Sequence, residues 1–347
     1  MAKRFAGLAM DAADGPALHE PKWATPNTIA LELNSVRLRD FSTVKDGVAT
    51  LLCAPFALHG AAVADLAPGH SLVVALHDAG LRRLFVTDWR SATAEMRHLG
   101  IDDYLANLNV LVDQLGGIVD LVGLCQGGWL SLLYAARFPA KVRKLVLAGA
   151  PIDIAAGTSA LSALAGASPL ALFHELVKLG DGLVLGSKMM KFWGSETLGT
   201  DDIHRLLQTP EPIGTAAFTK LEAIFRDWHA WTVDLPGTYY LEVIEKLYKR
   251  NEIATGQFIA LGERIDLAKM RIPIFLLAAR DDELVAPAQL FAVEKMVGTP
   301  PHAIGKAIAP CGHAGLFMGK TILAEYWPWI ARWMIEPDKR NLTSAAA

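Results

Sequence analysis

The hexapeptide Gly123-Leu124-Cys125-Gln126-Gly127-Gly128 constrains this chain more than any other stretch. An apolar run, Ile118-Val119-Asp120-Leu121-Val122, precedes it and reads as a buried parallel strand. Trp129 to Phe138 follows and reads as a helix stopped by Pro139. Strand, Gly-x-nucleophile-x-Gly, helix is the arrangement of a nucleophile elbow. The turn is so sharp that a side chain at 123 or 127 would clash, and glycine removes the clash. It lifts the Cys125 sulfur above the sheet edge, at the positive end of a helix that favours a thiolate. A lone cysteine is ordinarily a small buried hydrophobe. The flanking glycines and the strand–turn–helix context make this one a nucleophile.

A thiol near its free pKa needs a base, and the base needs an orienting acid. On such scaffolds the chain order is nucleophile, acid, histidine. The strand Ile274–Ala279 runs into Arg280-Asp281-Asp282-Glu283-Leu284-Val285-Ala286-Pro287, which puts acids just past a strand's carboxyl end. Asp282 is the first choice, because Asp-x-x-Val-x-Pro is the usual continuation in enzymes of this kind. Asp281 stays open as the alternative. His313, in Pro310-Cys311-Gly312-His313-Ala314-Gly315, is selected from 10 histidines by its place between the last strand and the last helix. An oxyanion hole would use the backbone N–H of Gln126 and one from Phe56 or Ala57, in the loop after strand 50–54. His59, Trp129, Trp228 and Trp231 are candidates for lining a substrate site. Loop ordering by His59 and helix packing by Trp228 and Trp231 are the competing readings.

Strand and helix signals alternate from Ile29 to Gly149, which argues for a mostly parallel sheet with helices on both faces. From Ile152 to Ile265 the pattern is mainly helical, and strands return at 274–279 and 303–308. The expected organisation is an arm at 1–28, a core at 29–151 and 266–340 split in sequence, and a helical cap at 152–265. Val36–Phe41 and Ile29–Leu33 look like an antiparallel edge pair. The tail from Asn341 looks frayed.

At 347 residues the chain suits one α/β domain with an insertion. A net charge of -3 leaves no basic field for nucleic acid. The three cysteines suggest neither a disulfide framework nor a metal cluster, and fit a reducing compartment, so a cytoplasmic protein is expected. No cofactor fingerprint is present; a P-loop would need a Lys-Ser/Thr pair that does not follow Gly128. Mean hydropathy is positive, +0.29, and Ile154 to Phe173 has no ionisable residue. Gly157, Gly166 and Pro169 interrupt that stretch, so a mobile apolar cap over the site is expected in preference to a transmembrane segment.

Gly-Leu-Cys-Gln-Gly-Gly resembles the lipase-like box of polyhydroxyalkanoate synthases, which place cysteine where lipases have serine. Asp65 to Val73, Phe85 to Arg90, Trp231 to Pro236 and Leu267 to Pro287 are similar to segments of the same family. The resemblance implies an α/β-hydrolase fold, Cys125 as acyl-carrying thiol, His313 as base and Asp282 as acid or hydroxyl activator. It implies 3-hydroxyacyl-coenzyme A or polyhydroxyalkanoate polymer as substrate and polyester granules as a location. The length is similar to that of the short class III synthases, which implies a second, non-catalytic subunit, a homodimer being the alternative. Two loops depart from the synthase pattern. Ala54 to Gly60 and Gly312 to Gly319 are similar to those of intracellular polyhydroxybutyrate depolymerases. The resemblance therefore leaves open transfer to a chain-end hydroxyl, hydrolysis by water, and an inactive granule-associated protein.

Overall fold

The computed structural model describes residues 19–193 and 198–336. Most of the expected arm and all of the tail past 340 lie outside the described residues. Of the arm, Thr25 is tied down: its N–H and hydroxyl both donate to the Asp65 carboxylate, at 2.7 and 2.8 Å.

The centre is an eight-stranded sheet. Its strands are β1 (Thr28–Glu32), β2 (Val36–Asp40), β3 (Ala49–Cys53), β4 (Leu84–Trp89), β5 (Val119–Leu124), β6 (Val142–Ala148), β7 (Ile274–Ala279) and β8 (Ile304–Ala309). The order is β1-β2-β4-β3-β5-β6-β7-β8. β1 and β2 pair antiparallel, β2 pairs antiparallel with β4, and every remaining pair is parallel. β3, β4, β5 and β7 are buried at every residue, which explains why they read as continuous apolar runs.

Helices cover both faces. α1 (Leu72–Asp78) and the last helix pack on one, while α2 (Ile101–Gln114) and α3 (Gln126–Arg137) pack on the other. From β3 the chain goes out to β4 and then crosses back to β5, on the other side of β3. The crevice between the carboxyl ends of β3 and β5 is therefore the switch point, where open α/β sheets keep their sites.

Between β6 and β7 the chain is mostly helical: α4 (Ala160–Ala167), α5 (Leu170–Leu179), α6 (Gly186–Trp193), α7 (Thr200–Leu207), α8 (Ala216–Ala230) and α9 (Gly237–Glu242). A π-helical turn, Val243–Lys249, continues α9. Among the described residues no single helix is long and apolar enough to cross a membrane; α4 and α5 pass only as a pair bent by 95°. Pro169 is at that bend, as N-cap of α5. After β7 come α10 (Pro287–Phe291), α11 (Val293–Met296), α12 (Gly315–Met318) and α13 (Lys320–Ile335).

The last helix, α13, runs through Pro328. Burial supports it in spite of the lost hydrogen bond: Trp327, Ile330, Ala331 and Met334 are fully buried. Trp329 and Trp333 set their ring edges against Phe275 on β7, at centroid distances of 5.1 and 5.5 Å. Its carboxyl end is held by Lys144, which donates to Trp333 O and Glu336 O at 2.6 Å each.

Candidate active site

Cys125 is the residue between β5 and α3, with φ 50° and ψ -118°. A positive φ is strained for a non-glycine residue and is held here by its surroundings. Its N–H donates to Ala148 O at 2.9 Å, and its carbonyl accepts from Gly128 at 2.8 Å. Gly127 passes against the end of β3: a Cβ there would overlap Cys53 O and stand 2.7 Å from Ala54 O. The glycine pattern that marked the elbow in the sequence thus has a steric cause.

His313 is only 6% exposed. It lies on the turn into α12, whose Met318 carbonyl accepts from buried His70 at 2.8 Å. His313 Nδ1 is 2.8 Å from Asp282 Oδ2 and 3.0 Å from Oδ1. Cys125 is close enough to the imidazole to raise its pKa. With Nδ1 given to the carboxylate, Nε2 is the nitrogen left for the sulfur. Asp282 Oδ1 also accepts the N–H groups of Leu284 and Val285, at 2.9 and 2.8 Å, so the acid is fixed in place. Asp281, the alternative acid, is exposed. Burial alone would depress the imidazole pKa. The negative charge and hydrogen bond of Asp282, with a further contribution from nearby Cys125, outweigh it and hold His313 well above its usual range.

The other sequence candidates fall into two groups. Gln126, Phe56 and Ala57 are at the switch-point crevice. Gln126 is the first residue of α3, where an N–H has no partner in the helix. Phe56 and Ala57 follow β3; Phe56 is 3% exposed and packs on Tyr104 and Tyr239, at 4.7 and 5.2 Å. His59, Trp228 and Trp231 belong to a docking cluster between the insertion and the loop after β3. The His59 ring lies 4.7 Å from that of Trp228 and 4.9 Å from that of His229. Trp228 Nε1 donates to Gly60 O at 3.3 Å, and Val233 N donates to Leu58 O at 3.0 Å. Trp231 covers Gly60, where a Cβ would stand 2.6 Å from its ring. Trp129 is buried beneath the elbow, donating to Gln126 Oε1 at 2.6 Å.

Two residues at the site were missed in the sequence. Gly149, after β6, leaves room for the imidazole: a Cβ there would stand 3.1 Å from its Cε1. Tyr248, on the π-helical turn, hydrogen-bonds Gln126. A glycine at a strand's carboxyl end was the one available hint for the first. The second joins residues 122 positions apart and left none. Among the described residues no group of His, Cys, Asp and Glu is arranged to hold a metal. An open groove of about 710 Å³ between the β1–β2 turn and α2 is lined by residues such as Glu32, Arg90 and Asp103 and does not include Cys125, His313 or Asp282.

A cysteine at the elbow of a doubly covered, mostly parallel sheet, with histidine and acid following in chain order, defines an α/β-hydrolase. The sequence model of the alpha/beta hydrolase fold family matches residues 70–320. The solved monoacylglycerol lipase of Paleococcus ferrophilus shares the fold, with a TM-score of 0.53 at 14% identity over 86% of this chain and 98% of that one. The poly(3-hydroxyalkanoate) polymerase subunit PhaC of Synechocystis sp. is 32% identical over 295 residues, 78% of this chain and 74% of that protein. The subunit of the same name from Allochromatium vinosum is 26% identical, over 73% of this chain and 71% of its own length. The chain belongs to the PhaC family of poly(3-hydroxyalkanoate) polymerase subunits within the α/β-hydrolases.

Proposed function

We propose that this chain grows a polyester by acyl transfer through a thioester on Cys125, using 3-hydroxyacyl-coenzyme A. The observation that carries the reading is one imidazole hydrogen-bonded to Asp282 and set beside Cys125, in a chain whose curated relatives are polymerases. Cys125 Sγ attacks the thioester carbonyl while His313 takes the thiol proton. The bond from the acyl carbon to the coenzyme A sulfur then breaks, and His313 returns the proton to that sulfur. Backbone N–H groups of Gln126 and of Phe56 or Ala57 face the developing oxyanion. A chain-end hydroxyl next gives its proton to His313 and its oxygen to the acyl carbon. The bond from the acyl carbon to the Cys125 sulfur breaks, His313 returns the proton to that sulfur, and the thiol is regenerated with the ester one unit longer.

Asp282 holds the imidazole in the tautomer that points Nε2 at sulfur, and stabilises the imidazolium. In this reading segment 152–265 is the cap. It excludes water from the thioester, which separates growth from hydrolysis. On this reading the chain works in the cytoplasm, at the surface of the polyester it makes. The two depolymerase-like loops left hydrolysis open, and the polymerase relatives favour transfer.

Incubation with 3-hydroxybutyryl-coenzyme A tests this directly. Coenzyme A release with polymer is expected, and Cys125→Ala should lose the rate by several orders of magnitude because the covalent step is gone. Free acid as the sole product, or a Cys125→Ala variant with its rate intact, would overturn the reading.

A further inference from the structure

The side chain of Gln126 is clamped at both ends. Its Oε1 accepts from Trp129 Nε1 at 2.6 Å, and its Nε2 donates to Tyr248 Oη at 3.0 Å. The Trp129 bond is local, three residues along α3. The Tyr248 bond reaches from the core to the insertion. Tyr248 is 8% exposed and Gln126 is buried. Burial raises the phenol's pKa by more than the Gln126 bond lowers it, with nearby Cys125 adding a smaller rise, so Tyr248 remains a neutral hydroxyl at working pH. The π-helical register of Val243–Lys249 carries Tyr248, and such turns in helices recur at functional sites. The main chain of Gln126, meanwhile, is the first turn of α3, where the oxyanion donor of the proposed reaction is found.

We infer that Tyr248 is a positioning residue: through Gln126 it holds the oxyanion N–H in register and ties that donor to the seating of the helical insertion. The inference rests on the acyl-transfer reading, and deepens it. With the tyrosine in place the donor faces the acyl oxygen. Without the hydroxyl, Gln126 Nε2 is left unpaired in a buried site and turns to seek another partner. The loss falls on the step that forms an oxyanion and spares the step that only needs a nucleophilic sulfur.

Two reactions of Cys125 separate these. Acylation by a p-nitrophenyl 3-hydroxybutyrate ester, followed as the p-nitrophenolate burst, passes through an oxyanion. Alkylation by iodoacetamide does not. Tyr248→Phe should slow the burst about tenfold, short of the 10²–10³ seen when a donor is removed outright. The ester's apparent KM and the alkylation rate should stay within about twofold. Gln126→Met should cause a similar loss, and the double variant should be no slower than the slower single one. The inference is overturned if the Tyr248→Phe burst is unchanged. It is also overturned if alkylation and burst fall together, or if the two losses multiply. Because the burst needs neither coenzyme A nor polymer, a wild-type protein that makes only free acid sinks the polymer reading while the Tyr248 result is still read.

Discussion

Gly149 and His313 meet through the side chain that glycine lacks: a Cβ at 149 would stand 3.1 Å from the imidazole Cε1 and 2.9 Å from Leu316 Cδ1. Gly149 also has φ 57°, so an L-residue there is strained as well as crowded. Its N–H donates to Leu277 O at 2.9 Å, which prevents the backbone from drifting away from the ring. Gly149→Ala should therefore push the imidazole off the line between Asp282 and Cys125. We expect a stability loss of about 1–3 kcal/mol from the backbone strain, read by chemical denaturation. The fall in acylation rate should be larger than that loss accounts for, because a misplacement near 1 Å can cost about 10² in rate.

Asp282→Asn tests the orienting role of the acid. An amide at that position still fits among Leu284, Val285 and His313, yet it accepts and donates on different sides. The imidazole then loses the charge that sustains the protonated form and the acceptor that selects its tautomer. Turnover should fall by roughly 10²–10⁴, with the smaller values if the thiol keeps part of its reactivity unaided. Asp281→Asn, at an exposed neighbour, should stay within about twofold. Equal losses in the two variants would reverse the assignment.

Gly127→Ala addresses the elbow itself. The added methyl would collide with the main-chain oxygens of Cys53, at the end of the central strand β3, and of Ala54 just after it, which cannot rotate away as a side chain can. Overpacking of this kind costs about 1–3 kcal/mol or more. It also moves β3 relative to β5, hence Phe56 and Ala57 relative to Cys125. Thermal unfolding should show a lower Tm, and the p-nitrophenyl ester burst should be lost even where the variant folds. A variant with both intact would mean that the turn is looser than the geometry shows.

The elbow was legible in the sequence because its constraint is local: glycines that must flank a tight bend lie within three residues of it. The sheet was legible for a related reason, since strands buried on both faces must be apolar throughout, as β5 and β7 are. His313 could be picked by chain order alone. The choice between Asp281 and Asp282 could not, because it depends on which way a loop turns after β7, and two adjacent acids differ by one residue of register. The role of the indoles was equally hidden. Trp228 and Trp231 could have lined a substrate channel or packed a helix. What decides their surroundings is the docking of the insertion on Leu58, His59 and Gly60, a long-range contact with no periodicity to betray it. Tyr248 belongs to the same class.

His59 offers a test of that docking through pH. Desolvation first, and the neighbouring His229 second, lower its pKa to about 3, the backbone at Trp231 working against them. His229 is lowered too, by its own burial and then by Arg226. His59 Nδ1 is buried without a partner, so neutrality is what the site accepts. The sign follows from linkage. With the folded pKa below the unfolded value of 6.5, the unfolded chain binds the proton first, so stability is full above pH 6.5 and falls as pH drops toward 3. At pH 5 the cost reaches up to about 2 kcal/mol, at roughly 1.4 kcal/mol for each unit below 6.5. A His59→Asn variant should be less stable than wild type at neutral pH, having lost the ring contacts with Trp228 and His229. It should also lose less stability between pH 7 and pH 5, as read by urea unfolding at each pH. Parallel pH profiles for the two proteins would show that His59 is solvated and that the insertion does not seal the loop after β3.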